Sequence, residues 1–111
     1  MKDEIMLLVA DFSKYPSGRD DLDGSFNGEK YRRTVLIPAL NAAIEAKRTV
    51  CVSLKGVMSF GSSFLEEAFG GLVRKEGFSK QQLKEVLRID SGKSNLQRYE
   101  NAIWTYIQTA E

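Results

Sequence analysis

Residues 49–73, TVCVSLKGVMSFGSSFLEEAFGGLV, constrain the fold more than any other part of the chain, because they pass from strand to helix through one short turn. Val50, Cys51 and Val52 form the near-continuous apolar run of a strand covered on both faces. Phe64, Leu65, Ala68, Phe69, Leu72 and Val73 then recur at helical spacing, so one face of that helix must pack on the sheet holding the strand. A strand over residues 49–54 and a helix from Ser63 onward are therefore adjacent. Ser62 and Ser63 stand at the positive end of the helix dipole, beyond the carboxyl end of the strand, and a function is expected there.

The flanking sequence repeats the alternation. Residues 5–12 read as a first strand and residues 13–27 as a polar loop rich in Gly, Asp and Ser. Residues 28–47 read as a helix with Tyr31, Val35, Leu36, Ala39, Leu40, Ala43 and Ile44 inward and Asn27 as its N-cap. Pro38 removes one backbone hydrogen bond and crowds the carbonyl four residues earlier, which predicts a kink near Thr34. Gly77 is expected as a left-handed C-cap, and Ser79 with Gln82 as the capping box of a short helix, Lys80–Val86. Leu87–Asp90 reads as a brief third strand near an edge, and residues 91–93 as a turn. Ser94 with Gln97 predicts a second capping box, opening a helix over residues 95–108 with Leu96, Tyr99, Ile103, Tyr106 and Ile107 inward. Strands alternating with helices imply an α/β fold, a small, mostly parallel or mixed sheet of three to four strands with helices packed on it and right-handed crossovers. With no linker, repeat or low-complexity tract, residues 1–111 read as a single domain.

Composition removes several classes of function. The chain has 16 basic and 15 acidic residues in 111, a net charge of +1 and a pI near 7.8, so no global field draws it to nucleic acid or anionic membrane. The apolar run at residues 5–10 is too short to span a bilayer, and Lys2, Asp3 and Glu4 before it do not read as a signal peptide, which predicts a cytoplasmic location. One cysteine excludes an internal disulfide, and the absence of histidine excludes His-based triads, His general bases and most transition-metal sites. Cys51 reads as a small buried hydrophobe and Trp104 as a packing residue. Glu66 and Glu67, adjacent on a helix, point about 100° apart and cannot converge as a catalytic pair. Catalysis would have to rest on Asp11, Asp23, Glu29 or an arginine, and no spacing brings these together. No catalytic residue, metal ligand or cofactor is therefore assigned.

The order of motifs, a strand, Gly56-Val57, four residues and SSFLEEAFGGLV, preceded by GRDDLDGSFNGEKYRRTVLIPAL, resembles the STAS-like domain family of unknown function. That family is a bacterial relative of the STAS domains of anti-anti-sigma factors, and the resemblance covers nearly the whole chain. It implies a STAS-like fold and a non-enzymatic regulatory adaptor. It also implies a protein partner of the histidine-kinase-like ATPase class. The serine that such a partner kinase phosphorylates in anti-anti-sigma factors falls on Ser63, with Ser62 just before it. Gly61 stands where an acid is usual and Phe64 where glycine is usual. Phe60, Ser62, Ser63, Phe64 and Glu67 are the residues expected at the partner. The competing structural expectation is that Ser63 and Glu66 form a capping box, with Ser63 as N-cap.

A second candidate lies in the loop GRDDLDG, residues 18–24, and the helix start after it. Arg19 and Arg32, with the backbone of Gly28, form a candidate cradle for an anion or nucleotide between two helix starts, since consecutive parallel strands deliver their loops to one edge. The structural alternative is that Arg19 pairs with Asp21, Asp23 or Glu29 and merely fixes a long loop. The residues leave the oligomeric state open.

Overall fold

Three parallel strands, β1 (Glu4–Leu8), β2 (Thr49–Ser53) and β3 (Leu87–Asp90), lie in the order β1-β2-β3 in the computed structural model, which describes residues 4–92 and 94–111. Lys93, in the expected turn, lies outside the described residues. Each connection steps one strand over in the same direction. Right-handed crossovers then put both connecting helices on the same side of the sheet. The register divides the side chains accordingly. Val50 and Val52 line up with Ile5 and Leu7 on one flank and Leu87 and Ile89 on the other, forming the face the helices cover.

The opposite face carries Met6, Leu8, Cys51, Ser53 and Arg88, and the central strand is buried on both faces, as its apolar run predicts. Met6 and Leu8 are exposed, yet Cys51 is fully buried. The Arg88 guanidinium reaches across the central strand to the Glu4 carboxylate, with contacts of 2.9 and 3.0 Å, and roofs the thiol. Burial pushes the Cys51 thiol above its ordinary pKa, as expected for a packing residue.

β1 ends at Leu8 and not at residue 12. Val9–Phe12 form a single helical turn, α1, which buries Val9 and swings Phe12 into an aromatic cluster with Phe26, Tyr31 and Phe64. Extended backbone could not deliver Phe12 there.

The first crossover helix runs from α2 (Gly28–Tyr31) through a π turn at Arg32–Leu36 into α3 (Ile37–Ala46). The disturbance expected from Pro38 takes this form. The Ile37 amide bonds to the Arg32 carbonyl, five residues back, so the ladder shifts by one residue around Thr34 and the helix continues. Lys47 ends it in the left-handed conformation, at φ 57°, with the Arg48 amide closing on the Ala43 carbonyl. The second crossover helix has the same plan: α4 (Ser62–Leu65), a π turn at Glu66–Gly70 and α5 (Gly71–Arg74).

Gly77 follows at φ 79°, and α6 (Lys80–Val86) starts on the Ser79 hydroxyl, which accepts from the Gln82 amide. Both caps match the sequence. The last helix, α7 (Gln97–Thr109), begins two residues later than expected, after a 3-10 turn at Ser94–Leu96. Gln97 bonds Ser91 and Asn101, and the Ser94 side chain of the predicted box lies outside the described atoms. α7 packs along the second crossover helix and buries Ile103 and Ile107.

Candidate functional site: two helix starts at one sheet edge

Both crossover helices begin at the carboxyl edge of the sheet, where ligands and partners of parallel sheets are met. At the first start, every one of the leading amides has a partner. The Gly28 amide donates to the Gly18 carbonyl and the Glu29 amide to the Arg19 carbonyl, both at 2.9 Å. The Lys30 amide donates to the Asn27 side chain at 2.9 Å, as expected of an N-cap, and the Tyr31 amide to the Asn27 carbonyl. The Asn27 amide group in turn donates to Asp21 and to the Gly24 carbonyl, and the Asp23 carboxylate accepts from the Arg19 amide, so the long loop is folded onto the helix it precedes.

The two arginines of the expected anion cradle do converge, but the anions between them belong to the protein. Arg32 is 2 % exposed, and its Nη1 donates at 2.7 Å to both the carboxylate and the backbone carbonyl of Glu67, while Nε donates at 2.9 Å to Glu76. Arg19 pairs with Glu66 at 2.5 Å and approaches Glu67 at 3.5 Å. This differs from both sequence expectations: Arg32 is closed to a ligand, and the Arg19 side chain bonds neither Asp21, Asp23 nor Glu29. Arg74 and Lys75 complete the cluster on Glu66 and Glu67. The Glu67–Arg32 pair links the two π turns. A π turn loosens the helical ladder, and the Glu67 carbonyl there is taken by Arg32.

Glycines make the approach close enough. A Cβ on Gly28 would sit 2.6 Å from the Phe64 carbonyl, and one on Gly71 would run into the Arg32 guanidinium. Gly28, expected as an anion-binding backbone, is thus the contact point between the two helices. Glycine inside a helical pattern was the available sequence signal for this crossing, in the Gly70-Gly71 pair.

Burial pushes the Glu67 carboxyl up, but the hydrogen bonds from Lys75 and Arg32 outweigh it and hold the pKa at about 2, against an ordinary 4.5. Burial opposes, and Arg74 and Arg19 override, in the same way at Glu66, which also lies below its ordinary value. Glu66 and Glu67 therefore form no acid–base pair. They share cations, and both carboxylates are held below their ordinary pKa.

The second helix start is built differently. Its N-cap is Gly61, which has no side chain to cap with, so Ser62 and Ser63 occupy the first helical turn and Ser63 is not the expected N-cap. The Phe64 and Leu65 amides bond to the Gly61 carbonyl, and those of Ser62 and Ser63 have no acceptor among the described residues. Backbone pairing decides the position. The Met58 amide donates to the Lys14 carbonyl at 2.8 Å and the Gly61 amide to the Pro16 carbonyl at 3.0 Å, tying the turn to the loop after α1.

Ser62 is exposed, and Ser63 and Phe60 are half-buried. Phe64 is fully buried, and Glu67 is 3 % exposed in the ionic cluster, so neither is free to meet a partner as expected. Tyr15 and Met58, in the two loops paired before this helix start, are each 64 % exposed, which the sequence did not reveal because their exposure depends on the pairing of those loops. The main clefts are half-open, about 190–390 Å³. Among the described residues no three Cys, Asp or Glu side chains come together as a metal site, and no helix is long and apolar enough to cross a membrane.

The family model for the STAS-like domain of unknown function (DUF4325) matches residues 27–95, more than half of the chain. The chain belongs to this STAS-like family. The matched span takes in both helix starts, both π turns and the Arg32–Glu67 pair, while β1, the Arg19 loop and the whole of α7 lie outside it. No curated protein and no solved structure matches the chain.

Proposed function

We propose that this STAS-like domain is a non-enzymatic regulatory adaptor that docks on a protein partner through the start of α4 and the turn before it. The observation that supports this reading is the exposure of Tyr15 and Met58 in the two loops whose backbones are tied together just before the start of α4, with half-buried Phe60 in the same turn. Exposed apolar groups in the loops before a helix start favour a covering surface over a small ligand. The internal pairing of Arg19 and Arg32 argues against the anion or nucleotide module. The partner class is a histidine-kinase-like ATPase, on the resemblance to anti-anti-sigma STAS domains, and the regulatory modification is phosphorylation of Ser62 or Ser63.

Aspartate at either serine provides the test. A helix N-terminus tolerates negative charge, so Ser62→Asp or Ser63→Asp should leave Tm within a few degrees, the shift corresponding to about 1 kcal/mol or less. Against a purified ATPase of this class, the Asp variants should lose binding that the wild type retains. Equal binding by wild type and both variants would remove the serines from the interface.

A further inference from the structure

The start of α4 faces an apolar slot of about 210 Å³ against the last helix, lined by Phe60, Ser62, Leu65, Tyr99, Ala102 and Tyr106. This is room for one large side chain. Phe60 forms the floor, packed at 4.9 Å between ring centroids on Tyr99 and at 6.2 Å on Phe64. The slot shares Phe60 and Ser62 with the docking surface above and extends it onto α7.

Arg98 stands on the rim of the slot. Its guanidinium lies 4.8 Å from the centre of the Tyr99 ring, and its Nη2 donates to the Tyr99 hydroxyl at 3.0 Å. It has no carboxylate partner among the described residues, in contrast to Arg19, Arg32, Arg74 and Arg88, each of which is ion-paired. A guanidinium held by a ring and a hydroxyl has little further freedom to lose, and its remaining N–H groups keep the fork that matches a carboxylate. The geometry points to a partner segment in which an apolar side chain of leucine or phenylalanine size is flanked by a carboxylate: the apolar group fills the slot and the acid pairs with Arg98. This inference rests on the docking reading and names the chemistry of what docks.

Two acetylated, amidated tetrapeptides test it, Asp-Leu-Phe-Asp and its basic counterpart Lys-Leu-Phe-Lys, each titrated into the isotope-labelled domain while backbone amide shifts are followed. The acidic peptide should move the amides of Ser62, Leu65, Arg98 and Ala102, and the basic peptide should not. In Arg98→Glu, an exposed substitution, the preference should invert, with the acidic peptide binding at least about tenfold more weakly. If both peptides move these amides equally in the wild type, the acid-reading role of Arg98 is overturned and the docking surface stands. If neither moves them at millimolar concentration, the slot is not a docking element and this inference falls, while the docking reading is decided separately by the binding of the Ser62→Asp and Ser63→Asp variants.

Discussion

The two helix starts at the carboxyl edge of the sheet differ in what completes them. The start of α2 is finished from within: its first four amides find the Gly18, Arg19 and Asn27 acceptors, and the cations around it hold Glu66, Glu67 and Glu76. The start of α4 leaves the Ser62 and Ser63 amides without acceptors among the described residues, and Tyr15 and Met58 are exposed in the loops tied to it, as Leu22 and Phe26 are in the loop before α2. The same feature, a helix N-terminus at a parallel sheet edge, thus serves as scaffold in one place and as open surface in the other. Charge alone does not mark a binding site. An arginine whose donors are already spent on the protein's own carboxylates has little left for a ligand, whereas exposed apolar groups still gain free energy from being covered.

The largest effect should come from breaking the closed start. Arg32→Ala removes the cation that joins the two π turns and leaves buried Glu67 with Lys75 at 2.7 Å and Arg19 and Arg74 at 3.5 and 3.8 Å, which should cost about 3 kcal/mol in denaturant unfolding. A loss below about 1 kcal/mol would mean that the pair is incidental.

Acid should act on the same cluster. Glu67 has a folded pKa of about 2, depressed from 4.5, so its stabilisation is fully present above about pH 4.5 and is lost as pH falls through 2. The loss should approach about 3 kcal/mol across that window, because each tenfold change in proton affinity on folding is worth about 1.4 kcal/mol. Glu67→Gln should flatten this part of the stability curve, and an unchanged slope would place the acid sensitivity elsewhere.

A smaller pair of substitutions sharpens the contrast between the two starts. Asn27→Ala removes a capping bond and should cost about 1 kcal/mol. Ser63→Ala should change stability by less than about 0.5 kcal/mol, since the Ser63 side chain caps nothing. Equal costs would show that the second start is capped in solution as the first is.

Much of this architecture is legible locally. Asn27, Ser79 and Gly77 announce their caps because a cap needs only its own neighbours, and Val50, Cys51 and Val52 announce the central strand because burial shows in composition. What the sequence hid depends on partners far along the chain. Ser63 followed by Glu66 fits a capping box, but the bonds of Gly61 and Met58 to the loop at residues 14–16 set the helix start two residues earlier. Arg32 and Glu67 look like surface charges on separate helices, and only the close approach at Gly28 and Gly71 turns them inward. The single helical layer follows from strand order, which residue patterning does not determine when Cys51 is buried by the Glu4–Arg88 pair across the other face.

The central claim, that the open helix start carries the interaction, is tested most directly by quantitative capture from cell extract on three immobilised proteins: the wild type, Met58→Asp at the open start, and Glu85→Lys on exposed α6 as a charge-altered control. The account predicts at least one protein recovered equally by wild type and Glu85→Lys and lost from Met58→Asp, with the melting temperatures of all three within a few degrees. Identical recovery by all three proteins would contradict it.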